Sequence, residues 1–183
     1  MRLKPKIVID HQVRNQSDRG GAAIQLLVLH STESHNRPGD SDLAAIAAWF
    51  DNAASQASSH VVIDADGHSA RLVADDRKAW TCAAFNAVSL NIEQIGIAAE
   101  GNWPETEINE CARWLARWSL KHKVPLRRGE VSGSRVVRSG VVTHAQLGAV
   151  GGGHSDPGSG YPVAAVIERA KEIKTELQKE GNQ

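Results

Sequence analysis

A chain of 183 residues, 41% hydrophobic and 23% charged, can bury one sizeable core and has the composition of an ordinary globular domain. Its 21 basic and 21 acidic residues balance, which argues against a partner held through a nucleic-acid backbone; no apolar run approaches the ~18–20 residues of a membrane span. The start, MRLKPKIVIDHQ, has basic residues but no apolar segment or cleavage site of a signal peptide.

Residues 1–23 are polar and read as an irregular N-terminal arm ahead of a domain spanning 24–183. The run QLLVLH at 25–30 predicts a strand buried on both faces, and HSTESHNRPGD after it is turn chemistry. A helix is predicted from Ser41, capped by Ser41 or Asp40, with Leu43, Ile46, Ala47 and Phe50 on one face. Strands follow at 60–64 and 70–73, joined by an Asp66-Gly67 hairpin signal. A loop around Trp80 leads to a strand predicted at 94–100 (QIGIAAE). Pro104 opens a helix whose stripe is Ile108, Cys111, Ala112, Leu115 and Trp118. The connection 125–140 carries Arg127, Arg128, Arg135 and Arg138 and reads as a solvated loop, with contact to an anionic polymer as the alternative. A strand at 140–144 then precedes GGGHSDPG (151–158), and Pro162 opens the last helix. The fold class is mixed α/β: one central mixed sheet of about five strands flanked by about three helices. Cys82 and Cys111 lie outside any C-x-x-C pattern, and two free thiols are the simpler reading over a disulfide.

Two histidines, His30 and His144, end predicted strands, where a rigid backbone fixes the direction of a side chain. Asp156 follows His144 by twelve residues, enough for the loop to return. Two histidines and a carboxylate match the ligand count of a catalytic zinc site that keeps a fourth position open. Pro157 biases Asp156 towards an extended conformation, and the glycines before it allow close approach. Asp-Pro-Gly is also a common turn, so the spacing alone leaves both readings open.

The segments LLVLHSTE, SSHVVIDADG, the tryptophan of DRKAW, QIGIAAEG, VVTH and GGGHSDPG occur in the order found in type 2 N-acetylmuramoyl-L-alanine amidases. Over residues 25–162 the chain resembles that superfamily, which includes phage endolysins, bacterial wall amidases and peptidoglycan recognition proteins. The resemblance implies a zinc ion held by His30, His144 and Asp156. It also implies cleavage of the amide joining N-acetylmuramic acid to L-alanine of the stem peptide, with zinc activating water and polarising the carbonyl.

The match departs from the family at the proton-transfer groups. His154 stands where many relatives carry an oxyanion-steadying lysine, and an imidazolium suits the same work. The positions of the usual general base fall on Ala98, after Ile-Gly-Ile, and on Ser59. Glu33 and Glu100 are the substitutes considered, with Glu33 preferred because its loop leaves the strand at His30. His60 and Trp80 are the candidate substrate-side residues, His60 alternatively structural and Trp80 alternatively a core plug. His35, His68 and His122 are given no role. The expected function is zinc-dependent peptidoglycan amidase activity, as the catalytic domain of a phage endolysin. The alternative is a recognition module that binds muropeptide without cutting it. Expected partners are peptidoglycan or muropeptide, with no nucleic acid, no membrane and a monomeric state. The enzyme would reach the wall by release from an infected cell or as part of a longer chain.

Overall fold

The computed structural model describes residues 2–35 and 42–181. The run LLVLHS forms β3 (Leu26–Ser31), buried along its whole length. Around it lie β1 (Ile7–Asp10), β4 (Val61–Ile63), β5 (Ser69–Arg71), β7 (Ser89–Gln94) and β10 (Gly140–Thr143), in the spatial order β1-β5-β4-β7-β3-β10. β4, β7, β3 and β10 run parallel, and β5 is antiparallel to β4. The C-terminal ends of the four parallel strands therefore share one edge, where an open sheet places its ligands.

Alternation along the strands gives the sheet two unlike faces. Leu27, Leu29, Val61, Ile63, Leu90, Ile92 and Val141 pack against α2 (Glu105–His122) and α3 (Val163–Glu180). Trp114 and Trp118 supply the bulk of α2's buried stripe, and Val166, Ile167, Ala170 and Ile173 that of α3. The acidic first turn of α2 and its basic last turn suit the helix dipole. On the other face, Val62 and Ala70 pack with α1 (Leu43–Asp51) through Leu43, Ala47 and Phe50. Leu26, Val28 and Val142 pack on Cys82, Phe85 and Leu147. The same face carries His30, Ser89, Asn91 and Glu93, all buried.

Four expectations need correction. The fourth strand is not 94–100 but Ser89–Gln94; beyond Gln94 the chain turns away. A Cβ at Gly96 would lie 2.7 Å from the Trp103 ring, so this stretch is packed as a bend against α2's approach. Residues 1–23 are not an irregular arm. β1 adds to the sheet edge parallel to β5, and β2 (Gln16–Asp18) pairs with β6 (Arg77–Ala79). The sheet thus has six strands rather than about five. The arginine-rich connection is not a loop throughout: β8 (Glu130–Ser132) and β9 (Arg135–Arg138) form a hairpin. The expected helix caps Ser41 and Asp40 lie outside the described residues; Asp42 stands at the N-cap without a side-chain capping bond. Cys82 and Cys111 are both free and buried. Among the described residues, no helix is long and apolar enough to cross a membrane.

Candidate metal centre and its cleft

β3 delivers His30 at its end, and β10 runs directly into a 3-10 turn that begins with His144. The glycine loop then returns Asp156, whose carbonyl accepts from the Ala145 N–H at 3.0 Å. His30 Nδ1 and His144 Nδ1 lie 3.0 Å apart. Asp156 Oδ2 is 3.4 Å from His30 Nδ1, and Asp156 Oδ1 is 3.1 Å from His144 Nδ1. The three residues are 0%, 5% and 7% exposed, so the cluster is largely buried, with His144 and Asp156 reaching the floor of a cleft.

The far side of each ring decides what the near side can do. His30 Nε2 lies 3.0 Å from Asn91 Oδ1, and His144 Nε2 lies 2.9 Å from the Gly151 carbonyl. Both partners accept, so each ring places its proton on Nε2 and turns a bare Nδ1 lone pair inwards. Two lone pairs and a carboxylate converging within 3.4 Å repel one another unless a cation lies between them. Ligands ~2.0–2.1 Å from a tetrahedral zinc ion are roughly 3.3 Å apart, so the donor set fits such an ion.

Glycine is required at one point of this frame. A Cβ at Gly151 would stand 2.3 Å from Leu147 Cβ, and the carbonyl that orients His144 belongs to the same residue. His154 leans over the centre, its ring stacked on His144 at 4.6 Å between centroids and 22° between planes. It is exposed and lines a cleft of about 610 Å³ together with Glu33, Trp80, Glu93, Asp156 and the α1 side chains Ile46, Trp49 and Phe50.

Glu93 is not among the site residues expected from the sequence. It lies on β7 directly opposite His30 in register, with Oε1 4.0 Å from His30 Nδ1. Its Oε2 is buried and has no hydrogen-bond partner among the described residues. Burial, then the charges of Asp156 and Glu33, push its carboxyl up to about 8. The signal was present in SLNIEQ, whose Ile92-Glu93 pair stands five residues ahead of Ile97-Ala98. Ala98 lies beyond the end of β7, which stops at Gln94.

The other expected site residues divide. Glu33 reaches the cleft, but its Oε1 accepts from Ser31 Oγ at 2.6 Å and from the Ala98 N–H at 3.1 Å. Glu100 does not reach it; its carboxylate is exposed and faces His35 at 3.5 Å. Trp80 lines the cleft and donates from Nε1 to Ser17 Oγ at 3.0 Å. His60 is fully buried beneath Asn91, so it cannot touch a substrate. Ser59 is likewise buried and donates to the Asn91 carbonyl at 3.0 Å.

Fold and site together define a class: a mixed α/β protein with a histidine–histidine–aspartate cluster and a buried glutamate at the C-terminal ends of parallel strands. Residues 20–159 match the family described as N-acetylmuramoyl-L-alanine amidase. No curated protein matches the sequence. Among solved structures, the chain is similar to the Staphylococcus aureus hydrolase AmiA in complex with its ligand. That likeness has a TM-score of 0.73 and 20% identity, covering 97% of this chain and 86% of the other. It is also similar to an AmpD derivative, with TM-score 0.64, 16% identity and coverage of 94% and 96%. A third likeness is to the amidase LysC from Clostridium intestinale URNW, with TM-score 0.60, 15% identity and coverage of 95% and 98%. The chain belongs to the N-acetylmuramoyl-L-alanine amidase family and is an enzyme of that class, a hydrolase of peptidoglycan.

Proposed function

We propose that this chain hydrolyses the amide between N-acetylmuramic acid and L-alanine with a zinc ion held by His30, His144 and Asp156. The observation that carries the reading is the pair of inward Nδ1 atoms, 3.0 Å apart, whose rings have both committed their protons outwards. Zinc bound there supplies Lewis acidity, polarising the scissile carbonyl and making water a nucleophile near neutral pH.

The remaining work falls to side chains of the cleft. Glu93, with one free carboxylate oxygen on the cleft wall, takes the proton from attacking water and returns it to the leaving amine. His154, exposed above His144, donates to the oxygen on which negative charge develops. Trp80 and the α1 residues Ile46 and Trp49 form the apolar wall along which the muropeptide lies. A role as a phage endolysin is part of the same proposal. It is supported by likeness to a protein described as an endolysin amidase from Clostridium intestinale, at TM-score 0.60 and 16% identity.

The test is digestion of purified peptidoglycan with and without chelator, with the new termini identified. Free L-alanine amino ends that vanish with chelator and return with zinc support the reading. Binding without release of new ends identifies a recognition module instead. Asp156→Ala should abolish both zinc binding and activity; a variant that keeps stoichiometric zinc refutes the ligand assignment.

A further inference from the structure

We propose that Asn91, held by His60 and Cys82, is a positioning residue that fixes His30 in the Nε2–H tautomer and so delivers its Nδ1 lone pair to the metal. The inference rests on the metal reading above, but it concerns a layer of residues that touch neither metal nor substrate. Asn91, His60, Cys82 and His30 are each 0% exposed, so protein atoms alone decide how they are arranged.

The order of protons follows step by step from the farthest residue. The Asn91 backbone N–H points at His60 Nδ1, 3.1 Å away. An amide N–H can only donate, so that nitrogen carries a lone pair. Burial, then the charge of Arg19, lowers the His60 pKa to about 3, and the ring is neutral. Its single proton therefore sits on Nε2, where the Arg77 carbonyl lies 3.2 Å away. Arg19 Nη2 also lies 3.1 Å from His60 Nε2, but it donates to the same Arg77 carbonyl at 2.6 Å, and the acceptor left on the ring is the Nδ1 that the Asn91 N–H meets.

His60 then sets the amide of Asn91. The lone pair on His60 Nδ1 is 3.4 Å from Asn91 Nδ2, which also donates to Ser89 Oγ at 3.1 Å. Reversing the amide would press its oxygen against that lone pair. At the other end, Cys82 Sγ lies 3.4 Å from Oδ1. Burial pushes this thiol up to about 12, so it keeps its proton and is a donor. The oxygen is thereby turned towards His30 Nε2, 3.0 Å away, and can only accept from it.

Something must enforce this choice, because a competitor stands on the other side of the ring. The Asp156 carboxylate, 3.4 Å from His30 Nδ1, would take the imidazole proton there and block the metal-facing nitrogen. The uncharged acceptor at Asn91 holds the proton on the opposite side. Outer partners of this kind orient ligands and raise metal affinity.

The experiment is nitrogen-15 NMR of the His30 imidazole in chelator-treated, folded protein, paired with zinc titration by competition against a chromophoric chelator. Wild type should carry the proton on Nε2. Asn91→Leu, close in shape but without an acceptor, should move it to Nδ1 and weaken zinc binding by about tenfold to a hundredfold. Asn91→Asp keeps the acceptor facing His30, and its second oxygen, no longer a donor, can accept from Ser89 Oγ; it should restore both the tautomer and the affinity, which a merely space-filling role would not predict. A wild-type His30 protonated on Nδ1, or Asn91→Leu binding zinc within about threefold of wild type, overturns the proposal. Should Asn91→Leu fail to fold, the wild-type spectrum and Asn91→Asp decide. A wild type with the stated tautomer that binds no zinc sinks the metal assignment alone.

Discussion

Glu93 occupies a position where a carboxyl is costly. It is 9% exposed, has an oxygen without a partner among the described residues, and is flanked by Asp156 and Glu33. Glu93→Gln preserves its shape and removes its basicity. We expect kcat to fall by about 10²–10⁴ with zinc content unchanged, read as new amino ends released from peptidoglycan per bound metal. A loss below about tenfold would return the role to Glu33. His60 gives a prediction about stability. Its folded pKa of about 3 lies below that of a histidine in an unfolded chain, ~6.5. Below about pH 6.5 the unfolded chain takes up a proton that the folded one refuses. This contribution is thus intact above that pH and is lost as pH falls towards about 3, by at most ~1.4 kcal/mol per pH unit. Urea unfolding of metal-free protein at about pH 7 and about pH 5 should show a steeper decline for wild type than for His60→Gln. Equal slopes would remove His60 from the account.

The glycine loop shows how an element serves a single atom. Gly151→Ala drives a methyl group into Leu147, 2.3 Å away, and displaces the carbonyl that orients His144. Zinc affinity should drop by about tenfold or more. Gly153→Ala is the control: its φ of +76° strains an alanine, but nothing lies within 4 Å of the added methyl. It should cost ~1 kcal/mol of stability and leave zinc affinity unchanged. If both variants bind zinc alike, the carbonyl of Gly151 is not what orients His144. This scale also shows what could be read from the sequence. β3 and β10 were legible as unbroken apolar runs, and α2 and α3 as stripes. β7 was not, because Asn91, Glu93 and Gln94 are polar residues buried for their hydrogen bonds and charge rather than for hydrophobicity. The β-branched QIGIAA beside it offers a better strand pattern. The cluster His30, His144 and Asp156 was legible only in part: strand ends and the Asp-Pro-Gly turn marked the candidates, and the family resemblance drew them together as proposed ligands. The N-terminal strands were hidden by exposure, since β1 is an edge strand with Ile7 and Val8 facing outwards.

Across the whole molecule, the N-terminal segment is tied to the helical layer by one buried carboxylate. Glu110 on α2 accepts from Arg2 at 3.0 Å, Arg113 at 2.9 Å, the Lys6 N–H at 2.5 Å and Ser69 Oγ at 2.6 Å. Removing it strands several donors at once. Glu110→Ala should destabilise the fold by about 3 kcal/mol, measured by urea unfolding. A change below about 1 kcal/mol would show that water readily replaces it. The two free thiols lie on opposite sides of the same sheet, Cys82 on the face that carries His30 and Cys111 on α2 against Tyr161. With both pKa values near 12, neither forms thiolate in the closed fold, so alkylating reagents and peroxide should find them inert. Each thiol then reacts only when its own layer opens, and timed alkylation at Cys82 and Cys111 separately clocks the breathing of the catalytic face and of the helical face.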